Sequence, residues 1–215
     1  MKYLLYSKSD NNDIEIGVDE AGRGPLFGRV YSAAVILPFD KNTFDYTILK
    51  DSKKFTSKKK LKQVEEYIKE NATYWGIAFE DEKTIDKINI RSATFKSMQT
   101  AAKDVIKQLS DDVDYSLMID GNAFKPMMIF KDGQIKQVEY ECIVGGDDLH
   151  KNIAAASILA KVARDEYIED ICEKHPELNE RYDLAKNKGY GTKKHMEGLR
   201  EYGRSEWHRQ TFGNF

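Results

Sequence analysis

The chain of 215 residues holds only two cysteines, four prolines and four histidines. Cys142 and Cys172 have no metal-ligand spacing and cannot build a disulfide framework, so they read as reduced thiols of a cytoplasmic protein. No stretch is rich in proline or serine, so no flexible or stiff linker divides the chain. The histidines show neither zinc-site nor triad spacing. No apolar run approaches the roughly 20 residues that span a bilayer. The apolar patch in MKYLLYSKSDNND is too short for a secretory signal, and no membrane partner is expected. Charge of one sign is missing too: 34 Lys and Arg stand against 36 Asp and Glu, a balance that taken alone argues mildly against a polyanionic ligand.

What is present is an ordinary soluble composition, long enough for one domain with a real core. Its charge is unevenly placed. KKFTSKKKLK, residues 53–62, carries six lysines and no acid, and residues 181–215 carry eight Lys or Arg against four acids. Either run is by itself a solvated face. Flanking an acidic centre, the two would form a phosphate-binding surface.

Period-two alternation marks strands at Ile14–Asp19, Val30–Leu37, Tyr74–Phe79 and Tyr115–Asp120. Helical periodicity covers Ser57–Glu70 and Asn89–Leu109, and residues 147–172 read as one long helix whose Ala154, Ala155 and Ala156 allow close packing on a sheet. Extended pieces at Met127–Phe130 and Gln134–Ile143 flank Lys131-Asp132-Gly133, a hairpin signal. A short amphipathic helix runs from about Lys193 to Tyr202. The final SEWHRQTFGNF has no period and is expected to pack on the core. The organisation expected is one α/β domain over residues 1–215, with roughly 175–215 as a helical C-terminal extension.

The most telling stretch is GVDEAGRGPLFG, residues 17–28. A strand delivers Asp19 and Glu20 into a glycine-rich turn. Neighbouring strand residues point to opposite faces, so these two can share a site only where the strand ends. Asp120 closes its own strand in the same manner, followed by Gly121. Asp147 follows Gly145-Gly146; taken alone it is more readily a helix cap than a ligand. Ser157 in the alanine helix reads, taken alone, as a tolerated small polar residue. Carboxylates gathered at strand ends beside glycine-freed backbone suit hard divalent cations and phosphate oxygens. Four of them are what a two-metal phosphoryl-transfer site needs, without any His or Ser nucleophile.

The motifs GVDEAGRGPLFG, DSKK (51–54), MIDGN (118–122), GGD (145–147), IAAASILAKVARDE (153–166) and KGYGT (188–192) occur in an order that resembles the ribonuclease HII family, the type 2 ribonucleases H, over essentially the whole chain. The resemblance implies a ribonuclease H-like α/β fold, a central five-stranded mixed sheet flanked by helices, with a helical C-terminal part. It implies an endonuclease that cuts the RNA strand of RNA–DNA hybrids and the bond 5′ to a ribonucleotide in duplex DNA, as in ribonucleotide removal and replication; a monomer is expected. It implies Mg²⁺ or Mn²⁺, two ions during catalysis, held by Asp19, Glu20, Asp120 and Asp147. Gly22, Arg23 and Gly24 match the segment that reads the 2′-hydroxyl and phosphate, and Tyr190 a tyrosine that senses the ribose. Lys53, Lys54, Ser157 and Lys161 fall in motifs near the nucleic-acid backbone.

Departures from the family pattern are Phe27 and Arg29 beside the reading loop, Asp148 directly after Asp147, and a longer connection from Asp120 to Asp147. The hairpin in that connection is expected to add a contact or partly cover the site. Only 18 residues precede Asp19, which argues against the type 3 relative with its extra N-terminal domain. A catalytically silent binding module and a small-molecule phosphatase are the competing readings. Clustered acids that repel without a cation weigh against the first, and the lysine block and GRG–tyrosine pair against the second.

Overall fold

The computed structural model describes residues 14–40, 42–110, 113–131 and 133–213. Asp132 of the expected hairpin turn, the N-terminal patch and the last two residues of the tail lie outside them. Five strands, β1 (Ile14–Ala21), β2 (Val30–Ile36), β3 (Tyr74–Glu80), β4 (Tyr115–Asp120) and β7 (Tyr140–Ile143), form one sheet in the order β3-β2-β1-β4-β7. β1, β2 and β3 pair antiparallel, while β1, β4 and β7 run parallel. The remaining strands, β5 (Met128–Lys131) and β6 (Gln134–Gln137), form a separate hairpin.

Alternation along β2 sorts the two cores. Ala33, Val35 and Leu37 face α1 (Lys58–Asn71) and α5 (Lys151–Lys174), whereas Ala34 and Ile36 face α3 (Ile90–Ile106). Residues 153–160 of α5 are buried on every side, as an apolar-all-round helix must be. Gly17 makes this approach possible: a Cβ there would lie 2.2 Å from the Asn152 carbonyl carbon. Asn152 then fastens α5 to two strands, donating to Glu15 O at 2.9 Å and accepting from Leu37 N at 3.1 Å.

Three sequence expectations change. The long helix is broken: α4 (Gly146–Leu149) ends at His150, which is extended, and α5 begins at Lys151. Asp147 is therefore no cap of the long helix but sits in a single turn before it. The piece 134–143 divides, its first half completing the hairpin and its second joining β4 as β7. A short helix, α2 (Glu82–Ile88), went unread because seven residues offer barely two turns of periodicity.

Beyond α5, three helices, α6 (Pro176–Tyr182), α7 (Leu184–Asn187) and α8 (Lys193–Tyr202), make the helical C-terminal part. They close around Phe27, Ile168, Leu178, Tyr182 and Leu199. The tail returns to the sheet side, where His208 bridges to Phe27, so the aperiodic segment packs. No helix among the described residues is long and apolar enough to cross a membrane.

Candidate carboxylate site and its reading loops

Parallel strands deliver their carboxyl ends to one edge, where open α/β sheets place their sites. Val18 lies opposite Ile119 and Asp120 opposite Ile143. Asp19, Asp120 and the Gly145-Gly146-Asp147 turn thus meet at the ends of three adjacent strands. Asp19 faces α5 with Gly17, and Glu20 faces the α3 side. Glu20 and Asp120 line a cleft of about 370 Å³ with Arg23, Arg91, Thr94 and Asn122.

Charge is poorly compensated here. Burial pushes the Asp19 carboxyl well above its ordinary range, and the Glu20 and Asp120 charges push it further. The backbone amide of Glu20, donating at 2.6 Å, and the Ser157 hydroxyl offset this only in part. Burial likewise raises Glu20 despite Arg23 at 3.3 Å, and raises Asp147, with Asp120 and Asp51 adding repulsion, despite Lys53 at 3.5 Å. Hard oxygen donors repelling one another in a buried edge are the chemistry a divalent cation satisfies. Among the described residues no three His, Cys, Asp or Glu side chains are gathered tightly enough to ligate one ion. Local donors account for that: Gly146 N–H holds Asp120 Oδ1 at 2.7 Å, and Arg23 and Lys53 hold Glu20 and Asp147. Asp19, Glu20, Asp120 and Asp147 could hold a metal after turning from these partners.

Ser157 lies beside Asp19 and bonds Ser52 at 3.0 Å, docking the DSKK segment on α5. Lys53 thereby reaches Asp147, and Lys54 pairs with Asp148. Lys161 instead pairs with Asp165 one turn along its own helix at 2.6 Å. Much of the lysine block is neutralised, since Lys58 meets Glu169 and Lys62 meets Glu65 and Glu166.

Gly22, Arg23 and Gly24 leave the same strand end. Gly22 adopts φ +97° and has no room for a Cβ, which would lie 2.1 Å from Arg164 Nε. A Cβ on Gly24 would stand 3.4 Å from the Tyr190 ring, so the loop and Tyr190 are neighbours. Tyr190 is 48 % exposed, unlike an ordinary core tyrosine. Phe27 is fully buried against His208, with ring centroids 4.9 Å apart, and Arg29 lies between the Phe79 and Tyr167 rings. Neither departure faces the opening. The hairpin covers nothing here. Its Met128–Lys131 strand packs beside Tyr115 and the end of α3, at the opposite end of β4 from Asp120, about 17 Å away at strand rise.

Four residues behind the loops escaped the sequence reading. Arg164 and Arg209, both buried, donate among the described residues only to backbone carbonyls of the loops. His195 and His208 share an Nε2–Nε2 hydrogen bond of 3.0 Å. Ser205 N–H can only donate, so His208 Nδ1 accepts it at 2.9 Å and carries its proton on Nε2. His195 Nε2 then accepts, and His195 Nδ1–H donates to Tyr190 O at 2.9 Å. An arginine inside an alanine-rich buried helix was the one available signal, for Arg164. Arg209 and His208 lie in a segment with no pattern to read.

A mixed five-stranded sheet with acids at the ends of β1 and β4 and after β7 places the protein in the ribonuclease H-like class. The ribonuclease HII family profile matches residues 16–215. Ribonuclease HII of Chlorobium luteolum is 42 % identical over 214 residues, covering 98 % of this chain and 92 % of that protein. The chain belongs to the ribonuclease HII family, whose members are endoribonucleases. Ribonuclease H2 of Pyrococcus horikoshii OT3 shares the fold at TM-score 0.71 and 20 % identity, over 93 % of each chain. Bst-RNase HIII, solved in complex with Mn²⁺, aligns at TM-score 0.64 and 17 % identity, over 90 % of this chain and 71 % of that one.

Proposed function

We propose that this chain is a monomeric cytoplasmic endonuclease that hydrolyses the RNA strand of RNA–DNA hybrids and the bond 5′ to a ribonucleotide embedded in duplex DNA. The observation that carries the reading is the juxtaposition of an electrostatically frustrated carboxylate edge with an exposed glycine turn and tyrosine. The first suits a divalent cation and a phosphodiester; the second suits a sugar approached closely by backbone.

Asp19, Glu20, Asp120 and Asp147 are the residues that would hold Mg²⁺ or Mn²⁺; a protein of the same fold has been solved in complex with Mn²⁺. Two such ions, when bound, supply the Lewis acidity that activates water and stabilises the leaving oxygen. Ser157 offsets a small part of the upward push on Asp19, because its hydroxyl favours the charged carboxylate. Lys53 and Lys54 lie beside the acids and present ammonium groups to backbone phosphates. Gly22, Arg23 and Gly24 bring amides and one guanidinium against the ribose and phosphate, and Tyr190 offers its ring as a platform for the sugar. Lys161, paired with Asp165, contributes only to the field at a distance.

A labelled DNA duplex bearing one ribonucleotide, an RNA–DNA hybrid and an all-DNA duplex test the reading, each with Mg²⁺, Mn²⁺ or chelator. A nick 5′ to the ribonucleotide and cleavage of the hybrid are expected with metal, none with chelator and none in DNA. Tight binding of hybrid without cleavage under any metal would instead make the protein a silent binding module.

A further inference from the structure

Arg209 stands outside that reading, yet the loop is built around it. Its guanidinium is fully buried and donates to five carbonyls of one loop. Nε reaches Gly28 O at 2.8 Å, Nη1 reaches Arg23 O at 2.9 Å and Pro25 O at 2.8 Å, and Nη2 reaches Gly22 O at 2.5 Å and Arg29 O at 3.2 Å. A guanidinium has five N–H bonds in a planar fork, and a lysine has three from one point. Among the described residues no carboxylate forms an ion pair with Arg209, so its hydrogen bonds all go to carbonyl oxygens, with the Glu82 and Asp86 charges acting from further off.

A trans peptide plane points its C=O and the following N–H in opposite directions, and no cis bond occurs among the described residues. Each carbonyl drawn onto Arg209 therefore turns the next amide outward. After Gly22 and Arg23 those amides are Arg23 N–H and Gly24 N–H, and neither has an acceptor among the described residues. Both belong to exposed residues, and Gly24 lies beside the Tyr190 ring. After Pro25 the amide is that of Leu26, which donates to Gly189 O at 2.9 Å and ties the loop to the tyrosine turn. Arg209 N–H closes the unit by donating to Leu26 O at 2.9 Å. One buried cation thus produces two unspent, neighbouring donors on the surface and a fixed distance to Tyr190.

We propose that Arg209 is a positioning residue for ribonucleotide recognition: it holds loop 22–29 so that the Arg23 and Gly24 amides face a 2′-hydroxyl or phosphate oxygen, without touching substrate itself. The inference rests on the proposed activity, and its test separates the two. Wild-type cleavage of the ribonucleotide duplex is measured first; its absence overturns the activity reading. Arg209→Lys keeps the charge and loses the fork. Arg204→Lys is the control, because Arg204 donates to three carbonyls of the tail, Arg209 O, Phe212 O and Gly213 O.

For Arg209→Lys, KM on the ribonucleotide duplex should rise about tenfold while kcat changes about threefold at most. Affinity in chelator for the ribonucleotide duplex relative to all-DNA duplex should fall toward equality. Arg204→Lys should keep the wild-type ratio. A folded Arg209→Lys with the wild-type ratio overturns the proposal, as does equal loss in both variants. Should Arg209→Lys not fold, the wild-type protein decides. The Arg23 and Gly24 amide resonances should shift on adding ribonucleotide duplex in chelator and not on adding all-DNA duplex; shifts identical for the two overturn the idea.

Discussion

At the carboxyl ends of β1, β4 and β7 four acids gather with too few donors, whereas two residues further along the same chain a loop wraps a cation with every donor used. Asp19, Glu20 and Asp147 are all held above their ordinary range, burial first and neighbouring charge second. Arg209 is pressed the other way, to about 9, by burial and by the nearby Arg164 charge, yet its five bonds are complete. The acid edge is left with unbalanced repulsion, which on the proposed reading a cation would relieve. The loop's hydrogen bonding around Arg209 is complete by itself. On the proposed reading, reaction chemistry and recognition would sit on one strand end with opposite states of preparation.

The largest effect should come from breaking the acid edge. Asp120→Asn keeps an oxygen for the Gly146 amide but removes a charge, so cleavage should fall by at least about a thousandfold, several kcal/mol of lost charge stabilisation. The metal-free Tm should not fall, because repulsion on Asp19 is relieved. A clear drop in Tm would mean that the edge is not frustrated.

The next largest is a pH effect in which the two regions oppose each other. The acids have raised folded pKa values, so the stability they contribute is present below their unfolded values, 3.8 for Asp and 4.5 for Glu, and is lost as pH rises through the folded values. His208 is pushed down to about 3 by burial first, then by His195 and Arg204. Its contribution is present above the unfolded value of 6.5 and is lost as pH falls toward about 3. In metal-free protein, Asp19→Asn should steepen the loss of Tm on acidification and His208→Gln should flatten it, by several degrees in each case. Added Mg²⁺ should raise Tm more at pH 8 than at pH 5, at about these two settings. Superimposable profiles for the three proteins would dissolve the comparison.

How far each region was legible follows the same division. Strands ending in acid and glycine announce themselves, because a period-two apolar run terminates on a charge, and β1 and β4 were placed within about two residues. Their adjacency made the carboxylate edge readable. The single turn holding Asp147 was not, since four residues carry no period and His150 interrupts what composition alone presents as one helix. Arg209 and His208 were illegible for a different reason. Arg209 satisfies carbonyls some 180 residues away in sequence and His208 pairs with His195 and Ser205, and hydrogen bonds of these kinds leave no pattern in side-chain type. Phe27 misled in the same way: proximity in sequence to a surface loop does not show that its side chain turns inward.

Tyr190→Ala should separate recognition from stability. The ring is 48 % exposed, so Tm should stay within about a degree or two. Loss of a stacking platform should reduce cleavage of the ribonucleotide duplex by about 10- to 100-fold. Tyr190→Phe should behave close to wild type if the ring face matters and close to Ala if the hydroxyl does. A large Tm loss in Tyr190→Ala would show that the tyrosine belongs to the rigid unit rather than to its working surface.

The smallest effect falls on the residue shared by both regions. Arg23 gives its carbonyl to Arg209 and its guanidinium to Glu20 at 3.3 Å. Arg23→Ala keeps the carbonyl, so the loop should hold its shape. It removes an exposed pair worth at most about 1 kcal/mol, one candidate phosphate contact and one competitor for a carboxylate. Cleavage should fall only a few-fold, and the salt dependence of binding should flatten by about one counterion. The Mg²⁺ concentration giving half-maximal rate should fall, because Glu20 no longer exchanges a guanidinium for a metal. A higher Mg²⁺ requirement would place Arg23 with the loop, as an orienting group for Glu20, rather than as the cation that stands in for the metal.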